Sequence, residues 1–441
     1  MRILFFTHYF PPECNAPAWR VLEMCKRWVK AGHNVHVITC APNVPNGIVY
    51  EGYKNRLIQR EVINGIKTTR VWTYIAANSG TNKRIINYLS YLFSASIAAL
   101  FDTKPDVVIA TSPQFFCGWA GVIFSRLRRV PLILEIRDIW PDSIIAVQAM
   151  RNKRILHFVQ WLEKKIYAAA HHIVTVGESY KQKLYEKGVR LKDVSVVPNG
   201  VDPEVFHPQQ SDDNLRQRYH LDRQFICSYV GTIGMACGLD IVLRAAKRLI
   251  NKNPDRIKFL LVGDGAIKDE LEKRAALEKL HNVIFTGKQD KQMVPRFLSI
   301  SDACLVHLKK ADLFKTVLPS KIFEAAAMAK PIILGVEGFA ADLLKQANAG
   351  ISIEPENDEQ LVAAVEMLAD DPKLRHSLGQ AGRKYVASCY NYDNLAKDYL
   401  TIISNVCNSN TINNKSRNLP VDKASHQSVS ARPSLDGLSG R

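Results

Sequence analysis

The stretch LPSKIFEAAAMAKPII, Leu318–Ile333, pairs a short helical pattern with the start of a strand, and its reading sets the fold. Ser320 stands where a helix N-cap belongs, and the alanine-rich run behind it makes a small-residue helix suited to close burial. Pro331 to Leu334 then reads as an apolar strand. Lys321 and Glu324 occupy the first turn. A carboxylate there is mildly stabilising near the helix N-terminus, which is the bland reading. The other reading is that Glu324 holds a ligand's hydroxyls while backbone N–H groups hold its phosphate.

Outward from this stretch the same unit repeats. RILFFT (2–7) precedes a helix near Ala18–Ala31 and then NVHVITC (34–40). The runs DVVIATS (106–112), PLILEI (131–136), HIVTV (172–176) and VSVVP (194–198) continue the series. It restarts with FICSYVG (225–231), KFLLVG (258–263), NVIFTG (282–287), ACLVHL (303–308) and PIILG (331–335). Short apolar runs alternating with helices imply parallel sheets covered on both faces. Two tandem series predict an α/β chain of two facing, Rossmann-like doubly wound domains. The turn-rich VPNGVDPEVFHP (197–208) marks the boundary, giving domains at 1–200 and 201–390. A helix over 391–407 is expected to cross back to the first domain, and 408–441 reads as a disordered polar tail.

A chain of 441 residues with 47% apolar content can bury more than one core. The nine cysteines show no CxxC spacing, which argues against a zinc site or a disulfide framework and makes them small core hydrophobes. The N-terminus has no signal-peptide pattern, and no apolar run reaches spanning length, so a cytoplasmic location is expected. Charge is one-sided. Residues 1–200 hold 27 Lys and Arg against 13 Asp and Glu, whereas the remainder holds 32 against 29. Such a half attracts nucleic acid, anionic lipid or a phosphorylated substrate. Ile85–Phe101 carries no charge and is either a core helix or a membrane-interface helix. With Trp119–Val130, aromatic then basic, it suggests a peripheral membrane surface.

Two further loops carry chemistry. LVGDGAIKDEL (261–271) and VGTIGMACGLD (230–240) each run from a strand through glycines into a helix, where backbone approaches a ligand closely. Neither is a Walker A loop nor a GxGxxG fingerprint. Both lie at strand C-termini, where α/β sheets bind ligands.

Together, VPNGVDPEVFHP, LVGDGAIKDEL, FTGKQD and SKIFEAAAMAKPIILGVEG resemble glycosyltransferase family 4, of the GT-B fold, over residues 1–406. YFPPECNAPAWR (9–20) and EIRDIWPDS (135–143) resemble a narrower set, the WbuB-like O-antigen and capsule L-fucosaminyltransferases. The resemblance implies a UDP-sugar donor held by the second domain, an acceptor entering from the first, retention at the anomeric carbon, and neither cofactor nor protein-held metal. It assigns Glu324 to the ribose hydroxyls and Lys288 to the region of the base. Gly231, Gly234, Gly263, Gly265, Ser320 and Lys321 fall to the diphosphate and sugar. Three positions depart from the family. Its first motif glutamate falls at Thr316, and its Arg/Lys pair falls at Thr232 and Cys237, leaving Lys321 as the cation for the leaving diphosphate. Arg137-Asp138 replaces a His-Asp pair, and is either the reacting centre or a brace of the cleft.

On the acceptor side, Glu13, Asn15 and Arg20 lie in the first strand–helix loop. Arg20 either grips an acceptor phosphate or pairs with a neighbouring glutamate. His8 and His171-His172 read as structural. A polyprenyl-diphosphate saccharide acceptor would account for both the basic half and the apolar segment, and would draw the protein to an anionic membrane surface. A UDP-sugar epimerase is the competing enzyme reading, separable by the absence of a glycosylated product. A basic nucleic-acid binder is the non-enzymatic one, although no helix-turn-helix, zinc or aromatic-RNP pattern is present and nucleic acid is not an expected partner.

Overall fold

A computed structural model describes residues 1–13, 15–44, 47–75, 81–112, 114–139, 153–221, 223–253 and 255–417. The first sheet contains β1 (Arg2–Phe6), β2 (Asn34–Cys40), β3 (Ile58–Ile63), β4 (Ile66–Val71), β5 (Val107–Thr111), β6 (Leu132–Ile136), β7 (His172–Thr175) and β8 (Val194–Val196). Their order is β3-β4-β2-β1-β5-β6-β7-β8, parallel throughout except at the β3–β4 edge. The second sheet contains β9 (Phe225–Val230), β10 (Ile257–Val262), β11 (Val283–Gly287), β12 (Ala303–His307), β13 (Ile332–Gly335) and β14 (Gly350–Ser352). It is parallel in the order β11-β10-β9-β12-β13-β14. This is the α/β, doubly wound GT-B architecture.

The central strands are continuous apolar runs because both faces are covered: every residue of β5, β6 and β10 is buried. The β3–β4 hairpin was not anticipated. Its signal is the dipeptide Asn64-Gly65, whose φ values of 50° and 78° suit the mirror-image turn that joins antiparallel strands.

The opening stretch forms a helix at Lys321–Ala327 and then β13. Its small residues serve packing: a Cβ on Gly382, in the helix Pro372–Cys389, would lie 2.9 Å from Ala349 Cβ and 3.5 Å from Ala326 Cβ.

The chain crosses between domains twice, and the crossings are tied together. Val201 N–H donates to Tyr390 O (2.9 Å), and Tyr392 N–H donates to Val201 O (3.1 Å). The helix Tyr392–Arg417 then packs on α1 (Ala16–Lys30) of the first domain. There the Trp28 indole N–H donates to Ala396 O at 3.0 Å and its ring meets Tyr399 edge-on. The polar tail expected from Asn408 is therefore helical as far as Arg417. No Gly or Pro interrupts 408–417, so an already nucleated helix continues. The rest of that tail, 418–441, lies outside the described residues.

Candidate active site

Both sheets present their strand C-termini to the cleft between the domains. On the second-domain side, β9 ends in Gly231, with φ +136°, and a Cβ there would lie 2.6 Å from Lys321 Cε. The glycine admits the lysine stem. The Lys321 ammonium sits 3.5 Å from the Tyr229 ring centroid and makes no hydrogen bond or ion pair with a described group. Burial pushes its pKa down to about 8, with Cys237 and Glu324 acting in the other direction.

One turn on, burial raises the Glu324 carboxyl, an effect that Lys291 and Lys321 oppose. Neither Glu324 oxygen accepts a hydrogen bond from a described group. A half-buried cation and a half-buried carboxylate, each without a hydrogen-bonding partner among the described residues, stand ready for a ligand. Glu324 opens on a cavity of about 160 Å³ lined by Trp19, Asn199, Lys291, Ser320 and Tyr392 among others.

The other second-domain candidates divide. A Cβ on Gly234 would meet only Thr232 Cγ2, at an ordinary contact distance of 3.8 Å. Gly263 and Gly265 instead serve loop packing: Cβ atoms there would lie 2.1 Å from Gly231 O and 2.4 Å from Ile233 O. Ser320 holds the N-cap position but in helical conformation, and its side chain makes no cap hydrogen bond. The Ile322 N–H is already donated to Pro319 O at 3.2 Å, so that backbone donor is taken. Lys288 lies over the Tyr50 ring at 5.9 Å, and Lys291 over Trp19 at 4.0 Å. Both lysines thus reach across the cleft to the first domain. Lys291, Trp19 and Asn199 were not singled out from sequence, and only the short distance from Lys288 to Lys291 offered a hint. At the departed positions, Thr232 O accepts from Tyr229 Oη (2.7 Å) and from Cys237 Sγ (3.3 Å), which shapes the loop without adding charge.

On the first-domain side the acceptor candidates are corrected. Arg20 is 1% exposed; it donates to Val197 O at 2.7 Å and to Pro198 O, and pairs with Glu135 at 3.4 Å. It braces the interdomain linker, with its guanidinium taken up by these groups. The buried Glu13 carboxylate accepts from Asn43 N (3.0 Å) and Val44 N (3.2 Å), fixing the loop after β2. Asn15 caps α1 through Ala18 N at 2.9 Å. Asn15 serves its own helix start, Glu13 the loop after β2 and Arg20 the interdomain linker, because backbone donors and acceptors left over there need partners.

Arg137 and Asp138 follow β6. The Arg137 guanidinium is lowered to about 10 by burial, with Glu135, Arg20, Tyr392 and Tyr180 around it. Its Nε and Nη1 are buried and unpartnered. Ser112 Oγ accepts from the backbone N–H of both Arg137 (2.8 Å) and Asp138 (3.3 Å).

The histidines are structural. His8 is packed among Tyr9, Tyr88 and Tyr91, and burial lowers it to about 4, so it stays neutral. His171 accepts from Leu132 N, and His172 meets Ser195 Oγ at 2.9 Å. Of the described cysteines, Cys25, Cys40, Cys117, Cys227 and Cys304 are buried as expected, whereas Cys389 is exposed and Cys237 and Cys407 are partly so.

A cleft between two doubly wound domains, with a half-buried cation and carboxylate at the C-terminal edge of the second sheet, is the GT-B arrangement with a candidate ligand site in its second domain. The chain's two halves each match a glycosyltransferase domain family. Residues 15–200 match the glycosyl transferase 4-like domain, and residues 211–385 match the glycosyl transferases group 1 domain. Among curated relatives, the chain is 28% identical over 417 residues to WcaI of Escherichia coli K12, named provisionally as a colanic acid biosynthesis glycosyl transferase; the match covers 91% of this chain and 100% of that one. It is 26% identical over 306 residues to the lipopolysaccharide 1,2-N-acetylglucosaminetransferase of Salmonella typhimurium, covering 63% of this chain and 78% of that one. Among solved structures, sucrose-phosphate synthase from Thermosynechococcus elongatus superposes with a TM-score of 0.70 at 16% identity, covering 92% of this chain and 99% of that one. WaaG, a glycosyltransferase involved in lipopolysaccharide biosynthesis, gives 0.64 at 16%, covering 91% and 99%. These structural likenesses concern the fold.

Proposed function

We propose that the protein transfers a sugar, with retention of anomeric configuration, from a UDP-sugar to a lipid-linked saccharide during bacterial surface-polysaccharide assembly. The observation that carries this reading is the Lys321–Glu324 pair. Glu324 is an acceptor-only carboxylate suited to two ribose hydroxyls. Lys321, one turn before it and beneath the glycine loop of β9, is a cation suited to the diphosphate that leaves. It replaces the positive charge that Thr232 and Cys237 do not supply. Arg137, unpaired at two nitrogens and facing from the other sheet, serves the acceptor or the reacting centre beside Asp138. Gly234 gives the donor room, and Lys288 lies toward the base.

The comparisons support the substrate class. Relatives are named for lipopolysaccharide, O-antigen chain and capsular polysaccharide synthesis. Solved neighbours of the same fold carry UDP or UDP-glucose. The donated sugar is N-acetylated, with N-acetyl-L-fucosamine favoured by the resemblance of the 9–20 and 135–143 segments. A polyprenyl-diphosphate acceptor places the protein at the cytoplasmic face of the membrane. No metal or cofactor takes part in this scheme.

The test is calorimetric titration with UDP and a panel of UDP-sugars, followed by transfer to a polyprenyl-diphosphate saccharide. UDP binding that falls at least tenfold in Glu324→Gln supports the reading. A folded wild type that binds no UDP, while binding GDP- or dTDP-sugars, would replace the donor; binding none of them would end it.

A further inference from the structure

Three neighbouring helices on one face of the first sheet share a surface that the candidate site does not use. They are α2 (Thr81–Leu100), α3 (Phe115–Arg128) and α4 (Lys153–Ala169). α2 packs along α3, and α3 packs on α4 closely enough that a Cβ on Gly118 would lie 2.6 Å from Ile166 Cδ1. The inner faces are ordinary core, with Tyr91, Ala95 and Ala99 of α2 and Cys117, Ala120 and Phe124 of α3 buried together. The outer faces are not ordinary. Phe93 and Ile97, one turn apart on α2, are exposed, as is Phe101 just past its end. Leu127 on α3 and Phe158 and Trp161 on α4 are exposed too, and these six side chains range from 53 to 76%. Phe158 and Trp161 stack on each other in the open, 6.0 Å between centroids.

Charge is equally one-sided. Lys83, Arg126, Arg129, Lys164 and Lys165 are exposed around the apolar side chains. The only carboxylate on the three helices, Glu163, is turned inward and paired with Lys187 at 3.0 Å. Among the described residues no helix is long and apolar enough to cross a membrane. Large apolar side chains ringed by Lys and Arg, with no exposed carboxylate on the three helices, match the acyl–headgroup boundary of an anionic leaflet.

We infer that α2, α3 and α4 together form the surface by which this protein lies on an anionic phospholipid bilayer, with Phe93, Ile97, Phe101, Leu127, Phe158 and Trp161 inserted between headgroups. The inference deepens the lipid-linked acceptor reading by naming where the lipid surface is met, and it rests on that reading only for its purpose. Helix α4 was not part of the membrane-facing stretch expected from sequence, because its aromatic residues are spaced among charges.

The experiment is co-sedimentation of the full chain with vesicles of phosphatidylcholine alone and of equal parts phosphatidylcholine and phosphatidylglycerol. Binding is expected only to the anionic vesicles, and weakens as salt is raised. Replacing Phe93 and Phe158 together by Ser should lower vesicle affinity about tenfold or more. Arg126→Gln and Lys165→Gln should each lower it about fivefold. UDP calorimetry on the same variants supplies the control, since these residues lie outside the cleft. Unchanged vesicle binding in the Phe93/Phe158 variant overturns the inference. So does a concentration-dependent dimer, broken by the same substitutions, in a protein that ignores vesicles. Vesicle binding without UDP binding would sink the proposed donor but leave this surface standing; the reverse pattern would do the opposite.

Discussion

Lys321 and Glu324 carry opposite charges into a half-buried place and have no hydrogen bond there with a described group, so each leaves an electrostatic demand that a ligand can meet. For Lys321 the sign of the pH effect follows from its depressed pKa. Above pH 8 the folded chain has lost a proton that the unfolded chain still holds up to its ordinary range, so this group's contribution to stability rises with pH across that window. Below pH 8 the partly desolvated ammonium costs stability. Lys321→Met is therefore expected to raise the melting temperature at pH 7 while weakening UDP at least tenfold; a lowered melting temperature would show that the ammonium is a structural tie. In the wild type, UDP affinity should fall as pH passes upward through about 8, and in Lys321→Met that dependence should vanish, which titration calorimetry at several pH values measures. Diphosphate binding would pull the lysine pKa back up, so proton uptake should accompany it.

At the scale of elements, one of the residues that looked like acceptor ligands braces the interdomain linker. Arg20 spans from α1 to the linker carbonyls of Val197 and Pro198, with Glu135 of β6 against it. Arg20→Met leaves the buried Glu135 carboxylate without its cation, at a cost of about 3–5 kcal/mol. Urea denaturation should show that loss, with the affinity of the remaining folded protein for UDP little changed. If only transfer activity falls and stability does not, Arg20 touches the acceptor after all. The last helix is fixed in a similar way, through Trp28 and Tyr399. Trp28→Ala should destabilise by about 3–5 kcal/mol through cavity formation and loss of the Ala396 bond, read from the same denaturation curve.

At the scale of the whole molecule, two lysines from the loop after β11 reach the opposite domain, Lys288 toward Tyr50 and Lys291 onto Trp19. Nucleotide entering the cleft must share space with these contacts, because Lys291 and Trp19 line the same cavity as Glu324. UDP should therefore change tryptophan fluorescence, and Trp19→Phe should remove that change while calorimetric binding persists. A fluorescence change that survives Trp19→Phe would put the nucleotide elsewhere or give the signal to another indole.

The parallel sheets and their tandem arrangement were legible along the chain because continuous apolar strands and glycine-ended turns are local consequences of burial on both faces. The 318–333 stretch became the expected helix and strand for that reason. The β3–β4 hairpin was legible as well, in Asn64-Gly65, but β3 alternates between exposed and half-buried residues and carries a weaker apolar signal than a buried strand. Which polar side chains remain available was not legible. Glu13, Asn15 and Arg20 have the chemistry of ligands, yet neighbouring backbone groups consume it; Lys321 and Glu324 have the same chemistry, and no described hydrogen-bonding partner does. That distinction depends on what packing brings within hydrogen-bond reach. Sequence by itself determined the strand–helix rhythm and the residue types at the cleft. Only the tertiary structure decided which charges were already paired, because pairing joins residues more than a hundred positions apart, such as Arg20 with Glu135 and the linker at Val197.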